Sequence, residues 1–248
     1  MRYKMIISYD GTEFNGWEGC NGVFIKNVLE DAFFHCFKEK IKIFCSGRTD
    51  KGVHAIYQTC HFDSSHFDSS HFDSSLKIYI KKWKYNIPKT INIIDIQEVT
   101  EEFHARFSTI ERQYMYLCYF SKEKIPIFEN RAVFLEKKLD IDKINSVIPN
   151  LLGTHDFSTF CPKNYNRKKI LTMKNIYITK EIWQNLELYR FYFIAKSFAH
   201  NQIRKIIASF LKLEIWTRED FILKFNSRES SPFIAPACGL YFLQSIVN

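Results

Sequence analysis

The chain has 248 residues, enough for one large domain or two small ones with a proper core, and 46% of them are hydrophobic, which excludes a disordered protein. Lysine and arginine number 35 against 27 acidic residues, 35 − 27 = +8, so an anionic partner is expected, although charge alone does not separate RNA from DNA or a membrane surface. The seven cysteines form no Cys-x-x-Cys pair and no apolar run reaches the length of a membrane span or secretory signal, so free thiols in a cytoplasmic protein with no membrane partner are expected.

Tyr3, Met5, Ile7 and Tyr9 alternate with other residues in the period of a strand with one strongly apolar face. Ile25, Val28, Leu29, Ala32 and Cys36 follow at helical spacing. Strands are expected at 41–45 and 53–62, a helix around Leu76 to Trp83, and a strand from Ile91 to Val99. The second half repeats the order, with a strand over 112–120, a helix over 141–152, strands near 173–180 and 187–196, a helix over 201–211 and a last strand over 240–247. Two successive β-α-β-β-α-β runs predict an α+β protein of two ferredoxin-like halves, 1–105 and 106–248.

The pentapeptide His61-Phe62-Asp63-Ser64-Ser65 recurs at 66–70 and 71–75. A histidine and an aspartate two apart share a strand face and suggest half a metal site, but no second ligand cluster accompanies them, and Ser-Ser pairs favour irregular structure. A duplicated segment in a protruding surface loop is the expectation, with no metal.

The most informative segment is Ser46-Gly47-Arg48-Thr49-Asp50-Lys51-Gly52-Val53-His54-Ala55. It places one carboxylate between two glycines where one strand hands over to the next. Glycine permits backbone angles closed to other residues, so Asp50 is expected at a loop tip, with Arg48 nearby to favour its ionised form. An ionised, positioned carboxylate can serve as a nucleophile or a base.

That decapeptide resembles the catalytic-loop signature of the tRNA pseudouridine synthase A family. Further segments resembling the family follow in its order: Tyr9-Asp10-Gly11-Thr12-Glu13-Phe14-Asn15-Gly16-Trp17, Phe103 to Ser108, Arg112 to Tyr116, Gly153 to Ser158, Ser197 to Arg204 and Ala235 to Tyr241. The resemblance implies two ferredoxin-like halves facing a central cleft, and isomerisation of uridine to pseudouridine in the anticodon stem-loop of tRNA (positions 38–40) without cofactor or metal. It implies Asp50 as the catalytic residue, Tyr114 packing against the flipped base, Arg204 as a partner of Asp50, and a homodimer. Arg48 is expected to fill the vacated space in the RNA or to hold a phosphate. Tyr114 and Tyr116 share a strand face, and Arg204 borders the apolar stripe of its helix.

His155-Asp156 is expected to have a structural role at a helix end, and Lys163, Arg167, Lys168 and Lys169 to offer RNA-backbone contacts. The chain departs from the family pattern at Glu18 and Cys20, where glutamines are usual, at Lys51, and over 208–212. A non-catalytic tRNA-binding protein with a drifted site, and a related synthase acting on other RNA positions, are the alternatives.

Overall fold

Tyr3, Met5, Ile7 and Tyr9, alternate residues of strand β1 (Arg2–Tyr9), are all buried, so the period-two pattern has become one face of a sheet. The computed structural model describes residues 1–66, 72–166 and 169–248. They form two compact units, residues 1–110 with 242–248 and residues 111–241.

In the first unit β1 is followed by α1 (Ile25–Phe37), β2 (Phe44–Cys45), β3 (His54–Asp63), α2 (Phe72–Tyr85) and β4 (Ile91–Val99). The strands pair antiparallel in the order β4-β1-β3-β2, the arrangement of a ferredoxin-like half, and part of β10 (Leu240–Val247) also lies beside β3. An aromatic cluster lies in its core. The Phe33 ring meets Trp83 edge-on at 4.8 Å, Phe62 meets Trp83 at 5.5 Å, and the Trp83 indole N–H donates to the Leu29 carbonyl at 3.1 Å. Each such ring pair adds about 1 kcal/mol beyond the area it buries.

In the second unit β5 (Thr109–Phe120), β6 (Val133–Leu135), α3 (Ile141–Val147), β7 (Gly153–Asp156), β8 (Ile170–Trp183), β9 (Leu186–Ala195), α4 (Gln202–Lys212) and α5 (Arg218–Asn226) precede β10. Strands β5, β9 and β8 stand antiparallel in the order that β1, β3 and β2 take in the first unit, with β7 on β8 and β6 on β5. The expected second β-α-β-β-α-β order is therefore present as β5-α3-β8-β9-α4-β10, with β6, β7 and α5 as additions. Helix α5 opens with a capping box in which Thr217 and Asp220 satisfy each other's backbone N–H groups.

Buried Lys205 of α4 donates to the Cys161 carbonyl at 3.2 Å, the Ser230 hydroxyl at 2.8 Å and the Ser231 carbonyl at 2.6 Å. Its neighbour Arg204 donates through Nε to the Ala235 carbonyl at 2.8 Å, and the Ala235 N–H returns a bond to the Arg204 carbonyl at 3.1 Å. Consecutive residues of one helix thus hold both ends of segment 230–235.

The tandem pentapeptide does not behave as a loop throughout. Its first copy completes β3: His61 and Phe62 are buried, and Asp63 receives Arg2 through two hydrogen bonds of 2.7 and 2.9 Å. In the third copy Phe72 to Ser75 open α2, which begins earlier than the expected Leu76. Of the second copy, His66 packs against Phe37 at 4.6 Å and Tyr79 at 5.1 Å, and residues 67–71 lie outside the described residues, as do Arg167 and Lys168. The surface-loop expectation is thus corrected for the first and third copies: one tetrapeptide, Phe-Asp-Ser-Ser, lies at a strand end in one and at a helix start in the other.

Eight residues separate β3 from α2 (72 − 63 − 1 = 8), so removing one pentapeptide leaves three, still an ordinary strand-to-helix connection. The shortened protein should fold, with a change in unfolding free energy within about 1 kcal/mol by urea titration.

His61 is a second point of test. Burial first, then His104 and Arg2, lower its pKa from 6.5 to about 4, and its Nδ1 accepts the Ala105 N–H at 3.1 Å, a role open only to the neutral ring. As pH falls from about 6.5 to about 4, the unfolded chain takes a proton that the folded chain refuses, so stability drops by at most about 3 kcal/mol across that window. Urea midpoints measured at pH 7 and pH 5 should differ in this direction, and the His61 contribution should vanish in His61→Gln.

Candidate active site

Asp50 opens a four-residue turn in which the Val53 N–H donates to the Asp50 carbonyl at 3.2 Å, and Gly52, third in the turn, has φ +77°. Only glycine adopts that angle without strain. The segment before the turn is tied down residue by residue. Buried Gln58 of β3 accepts from the Ser46 hydroxyl at 2.7 Å and donates to the Gly47 carbonyl at 2.6 Å, while the Ser46 N–H bonds the Thr59 carbonyl at 2.8 Å. The Thr49 hydroxyl shares a 2.7 Å hydrogen bond with the buried phenol of Tyr9, whose pKa burial pushes well up, so Tyr9 stays protonated.

The Tyr9 to Trp17 segment supplies the opposite wall. The Trp17 N–H donates to the Thr49 carbonyl at 3.0 Å, and the Gly11 N–H donates to His54 Nδ1 at 3.1 Å. A Cβ on Gly11 would stand 2.0 Å from the Val53 carbonyl oxygen, and one on Gly16, at φ +99°, would stand 2.7 Å from the Thr49 oxygen and 3.1 Å from the Asp50 carbonyl carbon. Neither distance is possible for a real side chain. These glycines let one stretch of backbone lie directly against another, a role that the reading of the sequence missed although the Gly-x-x-x-x-Gly-Trp spacing carried it. Asp50 is half-buried, with its main chain fixed on both sides.

Arg48 is exposed and pairs with Glu18, not with the aspartate two residues along the loop. Glu18 also receives the Lys26 ammonium at 3.3 Å.

In the second unit, β5 turns Tyr114 and Tyr116 to the same buried face, as expected. Tyr116 donates to the Pro236 carbonyl at 2.8 Å, a core role, whereas Tyr114 meets the Phe198 ring edge-on at 5.1 Å. Arg204 is half-buried, held by Ala235 and by the Asn201 side chain at 3.3 Å. His155 bonds the Leu152 carbonyl at 2.5 Å, and Asp156 accepts from the Ser158 N–H at 2.9 Å, so this pair serves local structure. Lys163 is exposed and Lys169 half-buried.

Ferredoxin-like units, one of them carrying an aspartate on a clamped loop, define the class as an α+β protein. A family model described as tRNA pseudouridine synthase matches residues 5–108 and 147–246. Curated proteins named tRNA pseudouridine synthase A match over nearly the whole chain. The one from Ehrlichia canis (strain Jake) is 32% identical, with 98% of this chain and 99% of the relative covered. That from Neorickettsia sennetsu is 33% identical with the same coverage, and that from Brucella ovis is 29% identical, covering 98% and 96%. The chain belongs to the tRNA pseudouridine synthase family, and is therefore an isomerase. Tyr114 lies between the two stretches matched by the family model, within the region the whole-length relatives cover. No helix among the described residues is long and apolar enough to cross a membrane.

Gly16→Ala should displace the Thr49–Asp50 backbone and cost about 1–3 kcal/mol of stability. Because the displaced atoms carry the loop aspartate, turnover at saturating RNA should fall further than binding does, which comparison of kcat with Kd would establish.

Proposed function

We propose that the chain isomerises uridine to pseudouridine in the anticodon stem-loop of tRNA, with Asp50 as the catalytic carboxylate. The observation that carries this reading is the clamped loop. Ser46, Gly47, Thr49 and His54 are each hydrogen-bonded to the surrounding frame and Val53 closes the turn on the Asp50 carbonyl, which leaves Asp50 presented at a fixed point. A catalytic group gains most when its position is set before the substrate arrives, since orientation then costs nothing at the moment of reaction.

The reaction breaks the bond from ribose C1′ to N1, turns the detached base, and joins C1′ to C5. C5 loses its hydrogen to water and N1 gains one, so atoms and electrons balance without an oxidant or reductant. A carboxylate can assist by attacking the base, by attacking C1′, or by taking a ribose proton, and Asp50 is the group assigned to this step. Tyr114 packs against the flipped base, a contact worth roughly 1–3 kcal/mol. Arg204 offers a fixed guanidinium to a carboxylate or phosphate, and Arg48 enters the space the base leaves or holds a phosphate. The net charge of +8 favours the polyanionic substrate. A cytoplasmic homodimer is the assembly this reading carries.

The test is tritium release to water from tRNA labelled at uridine C5, with no cofactor added. Wild-type protein should release label, and Asp50→Asn should lose more than about a thousandfold in rate while tRNA affinity, dominated by phosphate contacts, changes little. Absence of release from wild-type protein that still binds the tRNA would overturn this reading in favour of a binding protein with a drifted site or a synthase acting on other RNA positions.

A further inference from the structure

We infer that Glu18 is an internal competitor for Arg48, a carboxylate that occupies the arginine until an RNA phosphate displaces it and so sets how tightly the chain holds its substrate. The inference rests on the reading of Arg48 as an RNA contact. It adds a residue that limits affinity.

The geometry begins with Trp17, fully buried and bonded through its N–H to the Thr49 carbonyl at 3.0 Å. That bond joins the segment to the loop one residue after Arg48, so Glu18, next after Trp17, projects beside the arginine by construction. Its two oxygens then divide. One meets the Arg48 guanidinium and the other the Lys26 ammonium at 3.3 Å.

The three side chains are unequally exposed: 59% for Arg48, 27% for Glu18 and 22% for Lys26. The arginine is therefore the partner free to swing toward solvent, while glutamate and lysine stay against the fold. When Arg48 leaves, Glu18 is not stranded, because Lys26 remains on its second oxygen. Lys26 in turn stands 4.0 Å from Glu30, whose carboxylate is fixed by the Ile43 N–H at 2.7 Å. The row Arg48, Glu18, Lys26, Glu30 alternates in sign and ends on the main chain, so only its outer member is replaceable.

An exposed ion pair of this kind is weak, and a phosphate accepting two parallel N–H bonds from the guanidinium is the stronger partner. RNA therefore wins the exchange, but each complex gives up the internal pair and places a phosphate near an anion. Release of counterions is reduced as well. An arginine already paired with Glu18 only partly neutralises the phosphate it meets, so that phosphate keeps part of its condensed cation and the contact adds less to the salt dependence than a bare arginine would.

The test measures equilibrium binding of an unmodified tRNA transcript to Asp50→Asn protein, which does not turn over, across a series of salt concentrations. Glu18→Gln keeps the shape of the side chain and a hydrogen-bond acceptor for Lys26. It should tighten Kd about threefold to fivefold at low salt and steepen the slope of log K against log salt, by up to the roughly 0.7 to 0.9 that one fully neutralised phosphate contributes. Both gains should disappear when Arg48→Gln is added. A residue that merely shapes the loop would leave the slope unmoved, and an unchanged slope with Arg48→Gln still weakening binding overturns the inference about Glu18 alone. Gains that persist in the Arg48→Gln background would trace to Lys26 and overturn it as well. If Arg48→Gln changes neither affinity nor slope, the reading of Arg48 fails first and takes the inference with it.

Discussion

The site depends on two stretches of main chain lying closer together than side chains allow. Gly11 and Gly16 bring the Tyr9 to Trp17 segment against Val53 and Thr49–Asp50, at distances where any Cβ would collide with backbone. Hydrogen bonds from Trp17 to Thr49 and from Gly11 to His54 use that proximity, and the Tyr9 phenol adds a buried bond from β1 itself. The aspartate loop is thereby joined to β1, a strand paired on both sides. Loops that carry reacting groups are often the least stable part of a fold. Here the loop shares the stability of the core beneath it.

Much of the architecture was legible because its determinants are local. Alternating burial in β1 and the spacing of Ile25, Leu29, Ala32 and Cys36 in α1 needed no knowledge of distant contacts. Strand β2 is shorter than its apolar run suggests, since the Ile43 N–H goes to the Glu30 side chain and not to a neighbouring strand. Helix α5 was missed although Thr217-x-x-Asp220 announced its start, because exposed Leu223 and its neighbour Ile222 blur the helical spacing of the two buried residues, Phe221 and Phe225. Helix α4 begins at Gln202, one residue later than expected, because Asn201 before it is left-handed with φ +61°, a conformation that asparagine tolerates better than most residues.

The aspartate at position 50 could be singled out from its neighbours alone, and a half-buried place at a glycine-assisted turn is where the structure puts it. Arg48 was harder. The sequence offers Asp50 as the nearest carboxylate, whereas the fold presents Glu18, brought to the loop by the bond between Trp17 and Thr49. Ion pairs are long-range in sequence as often as not, and no periodic pattern records them. The pentapeptide repeat was misread for a related reason: identical residues take the structure of whatever they adjoin, here β3 on one side and α2 on the other.

Lys205 and Arg204 stand side by side on α4, and between them they grip segment 230–235, the lysine at Ser230 and Ser231, the arginine at Ala235. Helix and segment therefore act as a single strut. The direction in which the Arg204 guanidinium points is set partly by residues about thirty positions further along the chain. A change at Ser230 or Ser231 would be transmitted through the lysine to the angle of the neighbouring arginine, so the orientation of a charged group on α4 is shared with a pair of plain serines that have no chemistry of their own.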